Sequence, residues 1–344
     1  MRLGYCLAAL LILVSVGCRR ESSNSTNGLA NKASSAQLSH RIFAVSYPLQ
    51  FLTQQIAGEE IEVLVPFGDS DDPRKFRPNR EMIEAMQESD LVVANGIAAR
   101  YAKWLNSVSL PESKIISTAT HGLALRDYIQ VKGESIVHSH GPEGEHSHPV
   151  MAAFTWLDPA LAKKQSNYIA KHLRKTYPAH VDRFDQNLSQ LQVRLDDLES
   201  AMEQLRELSP ENSSIVLTAG SQFEFFARAA GFSTEPLSGF KNKLQIDKQL
   251  LAAVKTQLQE KFEDKFEDKL GESSGEGEKK KLVLIDQRFQ LTEGLSKVFL
   301  SYGIQAVPID TLDHCSATGD YISTMKSNIN RVAEAIKRPV EASD

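Results

Sequence analysis

The sequence predicts an α/β fold of two doubly wound lobes, joined by one long rigid helix and separated by a cleft. Short β-rich runs alternate with amphipathic helical stretches from Arg41 onward, the alternation recurs in the second half, and a regular apolar stripe lies between the two halves. The expected boundaries are a first lobe at 41–158, a linking helical segment at 159–209 and a second lobe at 210–344. Each lobe is long enough to bury its own core.

Both lobes consist of repeated β-α units. In the first lobe we predict the strands IFAVSY, IEVLVP, DLVVANG and KIIST, separated by the helices PLQFLTQQIAG, NREMIEAMQES and AARYAKWLNSV. In the second lobe the strands are SIVLTA, KLVLID and QAVPID, and the helices are SQFEFFARAAGF, LTEGLSKVFLSYG and YISTMKSNINRVAEAI. Strands that alternate with helices predict a parallel sheet in each lobe.

The linking segment carries seven apolar residues in 4-3 alternation: Phe184, Leu188, Leu191, Leu195, Leu198, Met202 and Leu205. As a single helix from Ala179 to Leu208 it would be about 45 Å long. The stripe is compatible with a coiled-coil dimer or with one helix that packs along both lobes. Three heptads are few for a zipper, so we favour the packed helix and a monomer.

The N-terminus resembles an export signal. A short positive region precedes an apolar core at 7–16, which is too short to span a bilayer, and Gly17-Cys18 ends it. We interpret 1–18 as a lipoprotein-type signal, Cys18 as the lipidated residue and 19–40 as a flexible tether. The alternatives are a plain secretory signal and an uncleaved anchor. The mature protein is then expected in the periplasm or at the cell surface, anchored to a membrane by lipid.

Composition and motifs argue against several other classes. With Cys6 in the signal and Cys18 lipidated, only Cys315 remains in the folded part, so a disulfide is not expected. A formal charge of -5 gives no indication of nucleic-acid binding. Asp313, His314 and Cys315 are adjacent and cannot form a relay, and the sequence has neither a nucleophile elbow nor H-E-x-x-H. We therefore predict no enzyme activity.

Four histidines lie within eleven residues of a Gly/Pro/Glu-rich stretch, HSHGPEGEHSH: His138, His140, His146 and His148. We interpret 138–148 as a flexible loop in which two H-x-H pairs gather around one ion, with Glu143 or Glu145 as optional oxygen ligands. The spacing suits zinc, copper or nickel. A purely solvated polar loop is the alternative.

A tandem repeat of mixed charge, KFEDKFEDKLGESSGEGEKKK, lies inside the second lobe at 261–281. Its composition is typical of a solvated insertion, and we assign it no chemistry.

Together these features resemble the metal-binding solute-binding proteins of zinc and manganese ABC importers. The similarity extends from about Arg41 to Lys337, through AVSYPLQFLTQQIAGEEIEVLVPFGDSDDPRKFRPN, ESDLVVANG, WLDP and YISTMKSNIN. The His-rich loop also lies where zinc-specific members carry theirs. The resemblance implies zinc, manganese or another divalent metal as the bound ion, and an ABC permease and ATPase as partners.

The resemblance further implies a metal cleft built from three histidines and one carboxylate. The family's three histidine positions fall on Arg74 in DPRKF, Phe154 in FTW and Gly220 in GSQFEFF, and its acidic ligand falls on Asp310 in VPIDTLD. Only Asp310 is of the family's type. We expect Arg74 to pair with Asp310 in place of a metal. Alternatively, Arg74 faces solvent beside a hydrated Asp310, or it binds an anionic ligand.

The sequence thus predicts the solute-binding lipoprotein of a zinc- or manganese-type ABC importer, with a non-standard cleft and a His-rich metal-binding loop. The alternative is a degenerate member that does not transport and acts as a surface zinc buffer or an adhesin-like interaction protein. If the cleft retains the family geometry, histidine at 74, 154 and 220 together should create tight zinc binding.

Overall fold

The computed structural model describes residues 40–66, 77–97, 105, 108–139, 145–209, 214–240, 245–262, 279–314 and 319–338. The predicted signal with Cys18 lies outside these residues, as does the tether except for His40. His40 is part of the folded lobe, because its ring packs against Tyr177 at a centroid distance of 4.8 Å.

The first lobe is built on a parallel sheet in the order β2-β1-β3-β4. Its elements are β1 (Arg41–Ala44), α1 (Tyr47–Ala57), β2 (Glu62–Leu64), α2 (Arg80–Glu88), β3 (Leu91–Ala94) and β4 (Ile115–Ser117). Strands β1 and β3 are apolar and almost fully buried, as expected where helices cover both faces of a parallel sheet. The helix expected at AARYAKWLNSV lies almost entirely outside the described residues.

A two-stranded antiparallel hairpin, β5 (Gln130–Ser139) and β6 (Glu145–Met151), follows the first sheet. The prediction of a flexible loop at 138–148 is therefore wrong for 138–139 and 145–148, which are strand residues. The physical reason is that side chains in a β-strand repeat every two residues, which is also the spacing of these histidines. The flanking β-branched residues Ile136 and Val150 favour the strand conformation as well.

The linking segment contains two helices, α3 (Pro159–Thr176) and α4 (Val181–Leu208), with a short 3-10 turn at Pro178–His180 between them. The helix predicted from Ala179 to Leu208 is α4, and α3 precedes it. The long helix α4 packs against α3, against α1 of the first lobe and against α8 (Tyr321–Lys337) of the second. All seven residues of the heptad stripe are buried in this single chain. The stripe is thus covered without a partner, and the monomeric state stays a prediction.

The second lobe is built on a parallel sheet in the order β10-β9-β7-β8. Its elements are β7 (Ser214–Thr218), α5 (Glu224–Ala229), β8 (Thr234–Pro236), α6 (Lys248–Phe262), β9 (Lys280–Asp286), α7 (Glu293–Ser301), β10 (Ile304–Ile309) and α8. The predicted α/β fold with two parallel sheets is confirmed, whereas β8 and α6 were not predicted.

The ends of the charged insertion belong to regular elements. Lys261 and Phe262 close α6, while Lys280 and Lys281 open β9, and 263–278 lie outside the described residues. The ammonium of Lys281 donates to the carbonyl of Tyr302 at 3.1 Å and lies over the Phe262 ring. The expectation of a wholly solvated insertion is wrong at these two ends.

Among the described helices, none combines the length and the apolar composition needed to cross a bilayer.

Candidate metal-binding sites

The carboxyl edges of the two sheets meet at Trp156, in the 3-10 turn Thr155–Leu157 that precedes α3. Its indole N–H donates to the carbonyl of Thr311, just beyond β10, at 2.9 Å. The Tyr321 hydroxyl, at the start of α8, donates to the Trp156 carbonyl at 2.6 Å. Because ligands of open α/β sheets bind beyond the carboxyl ends of strands, this junction is where a cleft site is expected.

On the first-lobe side, the edge is held by a buried chain of neutral hydrogen bonds. The Asn95 amide donates to the carbonyl of Ala153 at 2.9 Å and to Oγ1 of Thr155 at 3.0 Å. Thr155 Oγ1 donates in turn to Oε1 of Gln165 at 3.0 Å, and Gln165 Nε2 donates to Thr118 Oγ1 at 2.7 Å. These bonds fix the turn that carries Trp156 relative to β3 and β4.

On the second-lobe side, Asp310 is buried, with 1 % of its surface exposed. Its carboxylate accepts from Gln287 Nε2 at 2.5 Å and from the backbone N–H of Leu312 at 2.8 Å. Asn328 on α8 holds its backbone by a pair of hydrogen bonds of 2.9 and 2.8 Å. Burial raises the pKa of Asp310, and the hydrogen bond from Leu312 only partly opposes that rise. Neutral donors thus satisfy this carboxylate.

Beside Asp310, a guanidinium joins two further carboxylates. Arg288 Nε and Nη2 donate to the two oxygens of Asp286 at 3.1 and 2.9 Å. The same Nη2 lies 2.8 and 2.9 Å from the two oxygens of Asp313, which is 2 % exposed. His314 Nδ1 lies 3.0 Å from Asp313 Oδ1. Burial alone would raise the pKa of Asp313, but the His314 hydrogen bond and the Arg288 charge outweigh it and hold that pKa well below its usual range.

The turn that connects these groups has a strained backbone. Leu312 is fully buried and has φ +57°, in the left-handed region, which costs a non-glycine residue about 1 kcal/mol. In this conformation the Leu312 N–H reaches Asp310 while Asp313, one residue on, reaches Arg288. The strain is therefore stored where the two carboxylates are positioned.

The hairpin brings histidine positions together by register. His138 on β5 lies directly opposite His146 on β6, and His148 lies opposite Ile136. Because successive strand residues alternate between faces, positions 138, 146 and 148 share one face of the hairpin. Glu145, which precedes His146, falls on the other face. His140 and Glu143 lie outside the described residues.

The sequence model of the family described as zinc-uptake complex component A, periplasmic, matches residues 42–262, well over half of the chain. The chain belongs to this family. It is 24% identical over 322 residues to the manganese ABC transporter substrate-binding lipoprotein PsaA of Streptococcus pneumoniae, which covers 91% of this chain and 93% of PsaA. It is also 24% identical over 261 residues to the zinc-binding lipoprotein AdcA of the same species, or 75% of this chain and 48% of AdcA.

Two solved structures share the fold. The periplasmic zinc-binding protein TroA from Treponema pallidum matches with a TM-score of 0.64 at 14% identity, over 87% of this chain and 99% of TroA. The solute-binding protein FpvC from Pseudomonas aeruginosa in complex with Mn²⁺ matches with a TM-score of 0.63 at 18% identity, over 87% of this chain and 98% of FpvC.

In this zinc-uptake component A member, two of the positions expected to replace family ligands can be described. Phe154 is buried and packs against Trp156 in a tilted arrangement at a centroid distance of 5.1 Å, so it contributes an apolar ring to the junction. Gly220 has φ +122°, a conformation that a residue with Cβ rarely adopts. Histidine there would be strained, which argues against the expectation that three histidines would restore a tight zinc site. Arg74 lies outside the described residues, so its pairing with Asp310 stays a prediction.

The cleft groups seen here do not fit a dication. Among the side chains that the structure describes, which do not include those of His138 and His146, no three of His, Cys, Asp or Glu are arranged to hold a metal ion. Asp286 and Asp313 are bound by Arg288, and Asp310 is bound by neutral donors. Zinc requires about four nitrogen, sulfur or oxygen ligands free to coordinate it.

Sequence reasoning missed Arg288 and Asp286 as cleft residues. The available signal was positional: Asp286 ends an apolar strand and Arg288 follows two residues later, at the same edge as Asp310. Side chains that follow neighbouring parallel strands meet at one edge, but their pairing cannot be read from spacing.

Proposed function

We propose that this protein is the extracytoplasmic substrate-binding lipoprotein of a zinc- or manganese-type ABC importer, and that its His-bearing hairpin binds the metal. Family membership and the match to PsaA along nearly the full chain support the first part. One observation carries the second: His138 pairs with His146 across the hairpin, with His148 on the same face.

The hairpin geometry suits zinc better than a free loop does. Residues directly opposite on antiparallel strands have Cβ atoms about 5 Å apart, a separation from which two imidazoles can coordinate one ion. Because the strands already order the backbone, metal binding orders fewer residues than it would in a flexible segment. His148, which is exposed, lies two residues along the same strand and is the third nitrogen ligand proposed.

Calorimetric zinc titration of the mature protein tests the hairpin. We expect about one zinc ion bound at neutral pH and weaker binding below about pH 6, where imidazoles protonate. Replacing His138 and His146 together by Ala should abolish this binding. His121→Ala, at an exposed histidine outside the hairpin, is the matched control and should leave it unchanged. Undiminished zinc binding in the double variant would place the metal site elsewhere.

A second candidate function is surface zinc buffering or adhesin-like interaction without transport. The ion-paired cleft favours it, because the carboxylates at the second-lobe edge already have partners within the chain. Zinc uptake by cells that carry the wild type or the hairpin double variant separates the two. If the hairpin delivers metal to a permease and ATPase, cells with the double variant should lose zinc uptake. If the protein only buffers zinc, both kinds of cell should take up zinc equally from zinc-replete medium.

We place the protein outside the cytoplasm, held to a membrane by a lipid on Cys18, in line with the lipoproteins it resembles. Cys18→Ser should move the protein from the membrane fraction to the soluble fraction.

A further inference from the structure

We propose that Arg288 is the built-in cation of the inter-lobe cleft. Its guanidinium supplies, at the edge of the second sheet, the positive charge that a metal ion would supply, and it thereby excludes divalent ions from that edge. This inference concerns the cleft, goes beyond the hairpin proposal and does not depend on it.

The contacts of Arg288 are those of a central cation rather than of a surface side chain. It bonds two carboxylates that come from different segments, Asp286 at the end of β9 and Asp313 beyond β10. The Arg288 side chain is 20 % exposed, and those of Asp286 and Asp313 are 8 % and 3 % exposed. Ligands from separate strands that converge on one positive centre form the pattern that a bound dication would produce.

The carboxylates at this edge already have partners within the chain. One guanidinium and the adjacent His314 face Asp286 and Asp313, while Asp310 is held by Gln287 and a backbone N–H. A dication that entered would have to displace the guanidinium and would be repelled by it at close range, with little solvent to screen the interaction. The edge is therefore closed to metal by charge as well as by the loss of histidine ligands.

Arginine fits this role because its planar fork bonds both oxygens of a carboxylate at once, and it remains charged at every physiological pH. Lysine would keep the charge but lose the paired hydrogen bonds to Asp286. The two properties, charge and fork geometry, can therefore be separated by substitution.

The experiment uses the full mature chain with His138, His140, His146 and His148 replaced by Ala, so that metal bound at the hairpin does not contribute. Thermal melting is followed by circular dichroism with and without millimolar Zn²⁺ or Mn²⁺. In this background the protein with Arg288 intact should show no metal-dependent shift of its melting temperature.

Arg288→Met removes the cation and leaves Asp286 and Asp313 without their shared partner. We expect its melting temperature to fall without metal and to recover by at least about 3 °C when Zn²⁺ or Mn²⁺ is added. Arg288→Lys should be less stable than the parent but insensitive to metal. Arg288→Met combined with Asp313→Asn should lose the metal response, because a ligand has been removed.

A matched control is Arg194→Met, which breaks the ion pair between α4 and Asp320 at a site with one carboxylate. It should lower the melting temperature without a metal response. The proposal is overturned if Arg288→Met shows no metal-dependent rise, if Arg194→Met or Arg288→Lys shows the same rise, or if the parent itself is stabilised by metal. Should Arg288→Met fail to fold without metal, refolding yield with and without Mn²⁺ gives the same comparison.

Discussion

The described carboxyl edge of the first sheet is held by amides and hydroxyls, whereas that of the second sheet is held by charges. Asn95 and Gln165 connect the first edge through neutral hydrogen bonds. Arg288 connects the second edge through two buried carboxylates. The two edges meet at Trp156, so a single junction is stabilised in two different ways.

The two edges should respond differently when one of their side chains is replaced. A neutral chain loses about one hydrogen bond when a member is removed, at a cost of about 1 to 3 kcal/mol if a partner is left buried and unsatisfied. An ionic group that loses one partner leaves a buried charge uncompensated, which costs about 3 to 5 kcal/mol. The second edge should therefore be the more sensitive of the two.

The largest expected effect comes from the helix that both lobes share. Leu195 on α4 is fully buried within the chain, and Leu195→Lys places an amine in the core. We expect a loss of about 4 kcal/mol or more in the free energy of unfolding, with both lobes affected together. Urea denaturation measures it, and Val193→Lys, at a position 62% exposed on the same helix, is the control.

Sedimentation tests whether the apolar stripe of α4 is covered within a single chain. The wild type should be a monomer at micromolar concentration, because the stripe is covered by α1, α3 and α8. A wild-type dimer that Leu195→Lys converts into a folded monomer would contradict this and restore the coiled-coil interpretation.

Asp313→Asn tests the ionic edge. It removes the negative charge of one of the two carboxylates on Arg288, which also faces His314, so we expect a loss of about 3 kcal/mol in urea denaturation at pH 7. Glu334→Gln breaks a solvent-exposed pair with Arg338 and should leave the midpoint unchanged. Equal effects of the two variants would show that burial does not strengthen the Arg288 pairs.

Gln165→Met tests the neutral edge at nearly constant side-chain volume. Thr118 keeps its bond to the carbonyl of Ala94, but the Thr155 hydroxyl loses its acceptor. We expect a loss of about 1 to 2 kcal/mol, smaller than that of Asp313→Asn. Gln192→Met, whose bond to Asn167 lies at the surface, is the control. If Gln165→Met costs more than Asp313→Asn, the order proposed for the two edges is wrong.

The fold could be predicted from the sequence because β-α alternation and the heptad stripe are periodic and local. The hairpin was missed because a polar, Gly/Pro-rich composition masked the two-residue period of His138, His146 and His148. Asp310 was identified through family resemblance, yet its partners were not, since Gln287 and Leu312 reach it only after β9, β10 and a strained turn are in place. Pairings across strands depend on packing that no short motif encodes.

The smallest expected effect is a pH dependence that separates the ionic edge from the neutral one. Burial raises the pKa of Asp310 in the folded protein, so the folded state holds that proton more tightly than the unfolded state does. The stability that this group contributes is fully present below its unfolded pKa, near 3.9, and is lost as pH rises through the raised folded value. Asp313 has the opposite sign: its folded pKa is lowered, so its contribution is fully present above the unfolded pKa and is lost progressively as pH falls towards the folded one.

Asp310→Asn should therefore lose stability relative to the wild type as pH falls from 7 to 4, because only the wild type gains from protonating residue 310. Urea midpoints at several pH values measure how the stability difference between variant and wild type changes with pH. Even if the amide does not accept both donors, Gln287 and Leu312, equally well, a loss of stability that is the same at every pH does not affect this change. Asp197→Asn, at an exposed position on α4, should run parallel to the wild type. Parallel curves for Asp310→Asn would mean that residue 310 titrates alike in the folded and unfolded chains, and that the described charges of the second edge do not set its pH response.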